Sequence, residues 1–169
     1  GLSFSLMIRI NFLESYYNVI SSDCYNFLIT NHGIIMIFFF LMPVLIGGFG
    51  NFLIPLLSGL SDLNLPRLNA LSAWLLFPSI LCLLYSIWLG SGVGWTFYPP
   101  LSSSLFSDGR GTDFLMFSLH LAGVSSLLGS INFICTLYTA FSNINTVARG
   151  SIILWAYLFT SILLLVSLP

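Results

Sequence analysis

Apolar residues run along this chain in long unbroken blocks, and polar positions are gathered into short hinges between them. Four blocks carry no Asp, Glu, Lys or Arg: residues 33–61, 71–89, 114–141 and 151–169, each of 19 residues or more. At about 1.5 Å per residue, a 19-residue helix covers roughly 28 Å, close to the hydrocarbon thickness of a bilayer. Continuous runs favour helices over the two-residue alternation of a transmembrane barrel strand, so the pattern predicts an all-α, polytopic transmembrane bundle.

The polar hinges divide the chain further. Residues 1–9 read as the tail of an apolar helix ending at Arg9, and residues 10–22, with Glu14, Tyr16 and Tyr17, as an interfacial loop. A helix then starts near Ser22 and Asp23, a suitable N-cap pair, and continues past His32 through the first block. It would be about 35 residues, or roughly 52 Å, so it must tilt, bend or protrude. Pro43 and Pro55 fall inside it and are tolerated where neighbouring helices satisfy the freed carbonyls. Gly47, Gly48 and Gly50 leave a bare patch that another backbone or a flat ligand can approach closely. The connections that follow are residues 62–70, residues 90–112 containing GWTFYPP, and residues 142–150. The middle one suits a rigid cap at the membrane surface.

Composition agrees with this picture. With 57% hydrophobic and 5% charged residues, the chain has too little polar surface to coat a soluble globule. Net charge is −1, Lys is absent, and the only cations are Arg9, Arg67, Arg110 and Arg149, which excludes nucleic acid as a partner. With four spans these arginines are shared equally between the two sides, so charge does not set the orientation. Cys24, Cys82 and Cys135 lack the spacing of a zinc, iron–sulfur or haem-attachment motif and read as small buried or interfacial residues. The first residue is Gly1, with no initiator Met and no basic leader, which points to a processed terminus or a fragment.

Five groupings carry candidate chemistry. His32, Met36, Phe39, Pro43, Gly47 and Gly50 are spaced 4, 3, 4, 4 and 3, one face of an α-helix. An imidazole above polarizable and aromatic groups suits the edge of a haem with His32 as axial ligand; the alternative is a His satisfied by an interhelical hydrogen bond. Ser118, Ser125, Gly129, Asn132 and Thr136, spaced 7, 4, 3 and 4, form a polar stripe that either holds a row of waters or packs helices through small residues. Asp62, with Asn51 before it and Asn69 after it, is either a proton entrance or a helix-terminal carboxylate paired with Arg67. His120 lies off the stripe and reads as a packed or interfacial residue more readily than as a second ligand. Trp95 and Tyr98 either donate to an anionic ligand group or form an aromatic belt.

Four segments, HGIIMIFFFLMPVLIGGFGNFLIPLLSG, SDLNLPRLNALSAWLLFPS, GVGWTFYPPL and FSLHLAGVSSLLGSINFI, closely resemble subunit I of the mitochondrial cytochrome c oxidases, in the haem–copper oxidase family. The similarity runs from about residue 3 to 169 and is weakest over 10–24 and 142–150. It implies part of a twelve-helix core: the end of helix I, helices II to IV and the first part of helix V. The resemblance further implies that His32 is an axial ligand of low-spin haem a and that Arg9 hydrogen-bonds its formyl group. Met36 and Tyr98 stand with them as cofactor-binding candidates, and Trp95 matches a tryptophan beside the haem a3 propionate. Asp62 matches the entrance of the D proton pathway, and Asn51, Asn69, Ser125, Ser126 and Asn132 its water-ordering residues.

Two departures qualify that resemblance. Asn11 stands where the family often has a Glu that contributes to a calcium or sodium site, so that site is not expected. The remaining haem ligands, including that of haem a3, and the copper B ligands would lie outside this chain. What is implied is a ligand-donating part of the oxidase core in the mitochondrial inner membrane, with no catalytic residue of its own and inactive alone. Its partners would be the rest of subunit I, subunits II and III, cytochrome c and membrane lipids. The rival readings are a small polytopic transporter or channel and a non-catalytic scaffold fragment. On the fragment reading, the missing helices would dock on the glycine face of helix II and the serine face of helix IV, burying Asn51 and Asn132.

Overall fold

The computed structural model describes residues 1–13, 20–107, 109–142 and 150–169. Residues 14–19 of the expected interfacial loop, with Glu14, Tyr16 and Tyr17, and Arg149 in the last hinge lie outside the described residues, while Ile10 and Asn11 belong to the first helix. The regular structure described is all helical, as the unbroken apolar blocks require. Three of these helices are long and apolar enough to cross a membrane: Ser22–Ser58, Pro66–Leu89 and Gly109–Ala140.

Helix α1 spans Leu2–Asn11. Ser21, rather than Ser22 or Asp23, caps the next helix: its backbone is extended and its hydroxyl accepts the Cys24 amide at 3.4 Å. This second helix runs 37 residues in two kinds of winding. Its first part, α2, covers Ser22–Ile34; Ile35–Leu41 and Pro43–Gly50 are π-helical; and α3 covers Asn51–Ser58. The wide turns flank Pro43, which offers no amide to the i−4 carbonyl. Gly59 ends the helix in the left-handed conformation, φ 71°, and the Leu60 amide closes back on the Pro55 carbonyl at 3.0 Å. Helix α4 is Pro66–Leu89, α5 is Gly109–Ala140 and α6 is Ile152–Ser167. Helix α6, capped by Ser151, has 16 residues, roughly 24 Å, and is shorter than the apolar block that predicts it.

The chain forms two compact units. Unit 1 is Gly1–Leu41 with Ser79–Leu119; unit 2 is Met42–Pro78 with His120–Pro169. In unit 1, Ile34, Leu83 and Leu115 form the core, with Phe38, Phe39 and Phe97 packed against it. Helix α1 runs antiparallel to α2, with Phe4 edge-on to Phe27 and Phe12 edge-on to Tyr25. In unit 2 the core is Ile54, Leu63, Phe133, Leu137 and Leu154. Gly50 lets Phe133 and Tyr157 close on the helix, since a Cβ there would stand 2.7 Å and 3.3 Å from their rings. The Tyr157 hydroxyl donates to the Leu45 carbonyl at 3.0 Å, supplying a partner within the π-helical stretch.

Candidate functional site

His32 lies in the last turn of α2, half-buried. Its Nδ1 is 2.9 Å from the carbonyl oxygen of Gly1. A carbonyl only accepts, so Nδ1 carries a proton, and in the neutral ring Nε2 is then the nitrogen with a lone pair for a ligand or metal. Met36 packs one turn on; a Cβ at Gly1 would stand 2.8 Å from its sulfur. Arg9 is exposed in the last turn of α1. Eight residues past Gly1, it stands about 12 Å along α1 from the His32 contact.

The single face predicted for His32, Met36, Phe39, Pro43, Gly47 and Gly50 is divided. Phe39 joins the unit 1 core and Gly50 faces Phe133, while Gly47 and Gly48 are exposed. Spacing of 3 and 4 marks one stripe only on an α-helix, and the i→i+5 winding changes the angular step per residue.

Trp95 and Tyr98 belong to the loop between α4 and α5 and are 57% and 74% exposed. The loop itself is tied down beside His32. Thr30 Oγ1 accepts the Gly94 amide at 3.0 Å, and Asn31 Nδ2 donates to the Ser91 carbonyl at 3.4 Å. Gly92 presses on the backbone of Phe27, where a Cβ would meet the amide nitrogen at 3.0 Å. The two residues before His32 thus brace the segment that carries Trp95.

In unit 2 the polar stripe of α5 meets the hinge and α4. Ser125 donates to the Ser72 carbonyl at 2.6 Å. Asn132 Oδ1 accepts the Leu65 amide and Thr136 Oγ1 the Asn64 amide, each at 3.1 Å. Asn64 Nδ2 adds bonds to the Cys135 carbonyl and the Thr139 hydroxyl. The stripe therefore packs helices, as its small residues allow, while Asn132, 0% exposed, keeps Nδ2 without a partner among the described residues. This also corrects the docking expectation: the hinge and α4 occupy the serine face and already bury Asn132. Asp62 is exposed on the hinge, and its carboxylate accepts the Leu63 amide at 2.7 Å. Asn51 and Asn69 meet, Nδ2 to Oδ1, at 3.2 Å. Ser126 is half-buried beside Ser125, and His120 is exposed.

Several contacts escape the sequence reading. The Gly1 carbonyl has no side-chain signature, and the brace by Thr30 and Asn31 joins residues 60 and 64 positions apart. One signal was available: Ser72, Ser79 and Ser86 recur every seven residues on α4. In unit 1, Ser79 donates to the Ser118 carbonyl at 2.7 Å and Ser86 to the Gly111 carbonyl at 2.8 Å. No group of three or more His, Cys, Asp or Glu side chains suited to a metal ion occurs among the described residues.

An α-helical chain with membrane-length apolar helices and buried amides and hydroxyls within each of its two units is an integral membrane protein. Over residues 1–169 it matches the family model "Cytochrome C and Quinol oxidase polypeptide I", and it belongs to that family. It is 44% identical over 171 residues to cytochrome c oxidase subunit 1 of Eremothecium gossypii, covering 100% of this chain and 32% of that protein. Cytochrome c oxidase subunit 1 of Pecten maximus is 45% identical over 172 residues, covering 100% and 36%. For that of Yarrowia lipolytica the identity is 49% over 155 residues, covering 88% and 28%. The chain thus spans about a third of the length of these curated relatives.

Proposed function

We propose that this segment serves in the membrane core of a cytochrome c oxidase, contributing one axial ligand of haem a and the lower part of a proton pathway. The whole enzyme would pass electrons from cytochrome c to oxygen and couple this to proton translocation in the mitochondrial inner membrane. Membership of the polypeptide I family supports this reading over a small transporter or channel. The chain would be a partial subunit I, covering the end of helix I, helices II to IV and the first part of helix V. Its partners would be the rest of subunit I, subunits II and III, cytochrome c and lipid.

The observation that carries the proposal is the His32 Nδ1 to Gly1 carbonyl bond, because it fixes the tautomer that leaves Nε2 for iron. The donor set is a single imidazole, and His32 would supply one ligand to a haem iron; haem a3 and copper B would draw ligands from elsewhere in the complete subunit. Haem, when bound, supplies reversible one-electron redox chemistry. When it is bound, Met36 would shape the pocket wall, Arg9 would offer a guanidinium to a peripheral oxygen, and Trp95 and Tyr98 would offer ring N–H and hydroxyl donors. Asp62 collects protons at the surface. Asn51, Asn69, Ser125, Ser126 and Asn132 order water above it, and the unpaired Nδ2 of Asn132 suits a bound water.

Replacing His32 with Leu in the intact protein tests the proposal. Loss of the low-spin haem band with the helices still inserted is expected, and an unchanged low-spin spectrum would refute the ligand assignment.

A further inference from the structure

We propose that unit 1 holds a buried water at Ser91, bonded to the Asn31 amide oxygen, the Ser91 hydroxyl and the Thr112 hydroxyl. Asn31 is 0% exposed, and its Nδ2 donates to the carbonyls of Phe27, at 2.9 Å, and Ser91, at 3.4 Å. Turning the amide over would set oxygen against both carbonyl oxygens, so Oδ1 is fixed as an acceptor, and it has no partner among the described residues. The Thr112 hydroxyl is equally buried and equally without a partner among them.

Ser91 joins these two groups. Its carbonyl receives Asn31, and Gly111, the residue before Thr112, is held against it; a Cβ at Gly111 would stand 3.4 Å from the Ser91 Cβ. Ser86 Oγ donates its one proton to the Gly111 carbonyl at 2.8 Å. In the 2.9 Å bond between Ser86 and Ser91 the donor is therefore Ser91, whose lone pairs remain open to a proton from elsewhere. Two acceptors, Asn31 Oδ1 and Ser91 Oγ, and one donor, Thr112 Oγ1, are left over. A water gives two protons and accepts one, and three hydrogen bonds are the usual complement of a buried water. None of the groups carries charge, so an ion has no counter-charge here. The water ties the turn before His32 to the loop that carries Trp95 and to the start of α5, and it does not depend on the haem reading.

The test uses the intact protein purified from its native membrane. A structure at a resolution that shows waters is expected to contain one within hydrogen-bonding distance of all three atoms. Thr112→Val, which keeps the shape of the side chain, should lose that density and unfold at a lower temperature, because Asn31 and Ser91 then lose the partner they share. Absence of the water from the unmodified protein overturns the proposal. So does a Thr112→Val protein that unfolds at a higher temperature, the result expected when a hydroxyl with nothing to bond is removed.

Discussion

The imidazole Nδ1 of His32 and the backbone carbonyl of Gly1 face each other at 2.9 Å, so the tautomer of the one ring is set by the main chain of a different helix's first turn. Gly1 is also tightly packed, since any side chain would begin 2.8 Å from Met36 Sδ and 3.1 Å from Ile35 Cγ2. The carbonyl can be where it is because the residue has no Cβ.

Substitution at Gly1 should therefore act on His32. Gly1→Val places branched carbon against Ile35 and Met36, moves the carbonyl away and leaves the imidazole free to rotate; haem retention should fall by about tenfold, the lower end of outer-shell effects. Gly1→Ala is milder, because the end of the Met36 side chain can yield. Low-spin haem per protein, read from the reduced optical spectrum, measures both. Equal spectra for the Val variant and the parent protein would show that the carbonyl does not orient the ligand.

Arg9 should tune the same haem through a charge-assisted hydrogen bond. Arg9→Met is expected to shift the reduced band to the blue and lower the midpoint potential, with Arg9→Lys only partly restoring them, because Lys lacks the planar fork. If potential and band both stay in place, Arg9 acts only at the end of α1. A cation there is worth about 0.3–1 kcal/mol.

The helices were legible because charge-free blocks of membrane length leave the backbone no other way to satisfy itself in lipid. Local winding was not. The spacing of His32, Met36 and Gly50 assumes 3.6 residues per turn, and the π-helical stretches around Pro43 break that assumption without leaving a periodic mark. The stripe of Ser125, Asn132 and Thr136 was visible as a polar face, but its partners were not, since they are backbone groups of Ser72, Leu65 and Asn64. For the same reason the loop anchored by Thr30 and Asn31 could be placed only at the surface and not beside His32.

Gly50 offers a test of packing in unit 2. A Cβ there overlaps two carbons of the Phe133 ring, at 2.7 and 2.8 Å, and Phe133 is itself held edge-on to Tyr157. An aromatic ring in a packed core has less freedom to yield than a flexible chain end, so Gly50→Ala should destabilise by about 1–3 kcal/mol. Gly47→Ala is the control, because nothing stands within 4 Å of its Cβ position. Thermal unfolding of the two variants in detergent should separate them, and equal midpoints would mean that the helix shifts freely at Gly50.

Asp62 is the position where structure and proton chemistry can be separated most cleanly. Its carboxylate accepts the Leu63 amide at 2.7 Å, a bond that the carbonyl oxygen of an asparagine can also make. The hinge is held besides by Asn64 and Leu65 on α5, neither of which depends on the charge of Asp62. Asp62→Asn should therefore preserve folding and haem content while removing the carboxylate. Proton uptake and turnover should slow together, by about 10²–10⁴-fold if this is the principal entrance, the range for loss of a positioned acid–base group. Asp62→Leu should slow them similarly and also lower the unfolding midpoint, because the Leu63 amide loses its partner. Uptake measured with a pH-sensitive dye after a single turnover, beside steady-state oxygen consumption, distinguishes the outcomes. Parent rates in Asp62→Asn would return Asp62 to a turn-forming role at the end of the long helix.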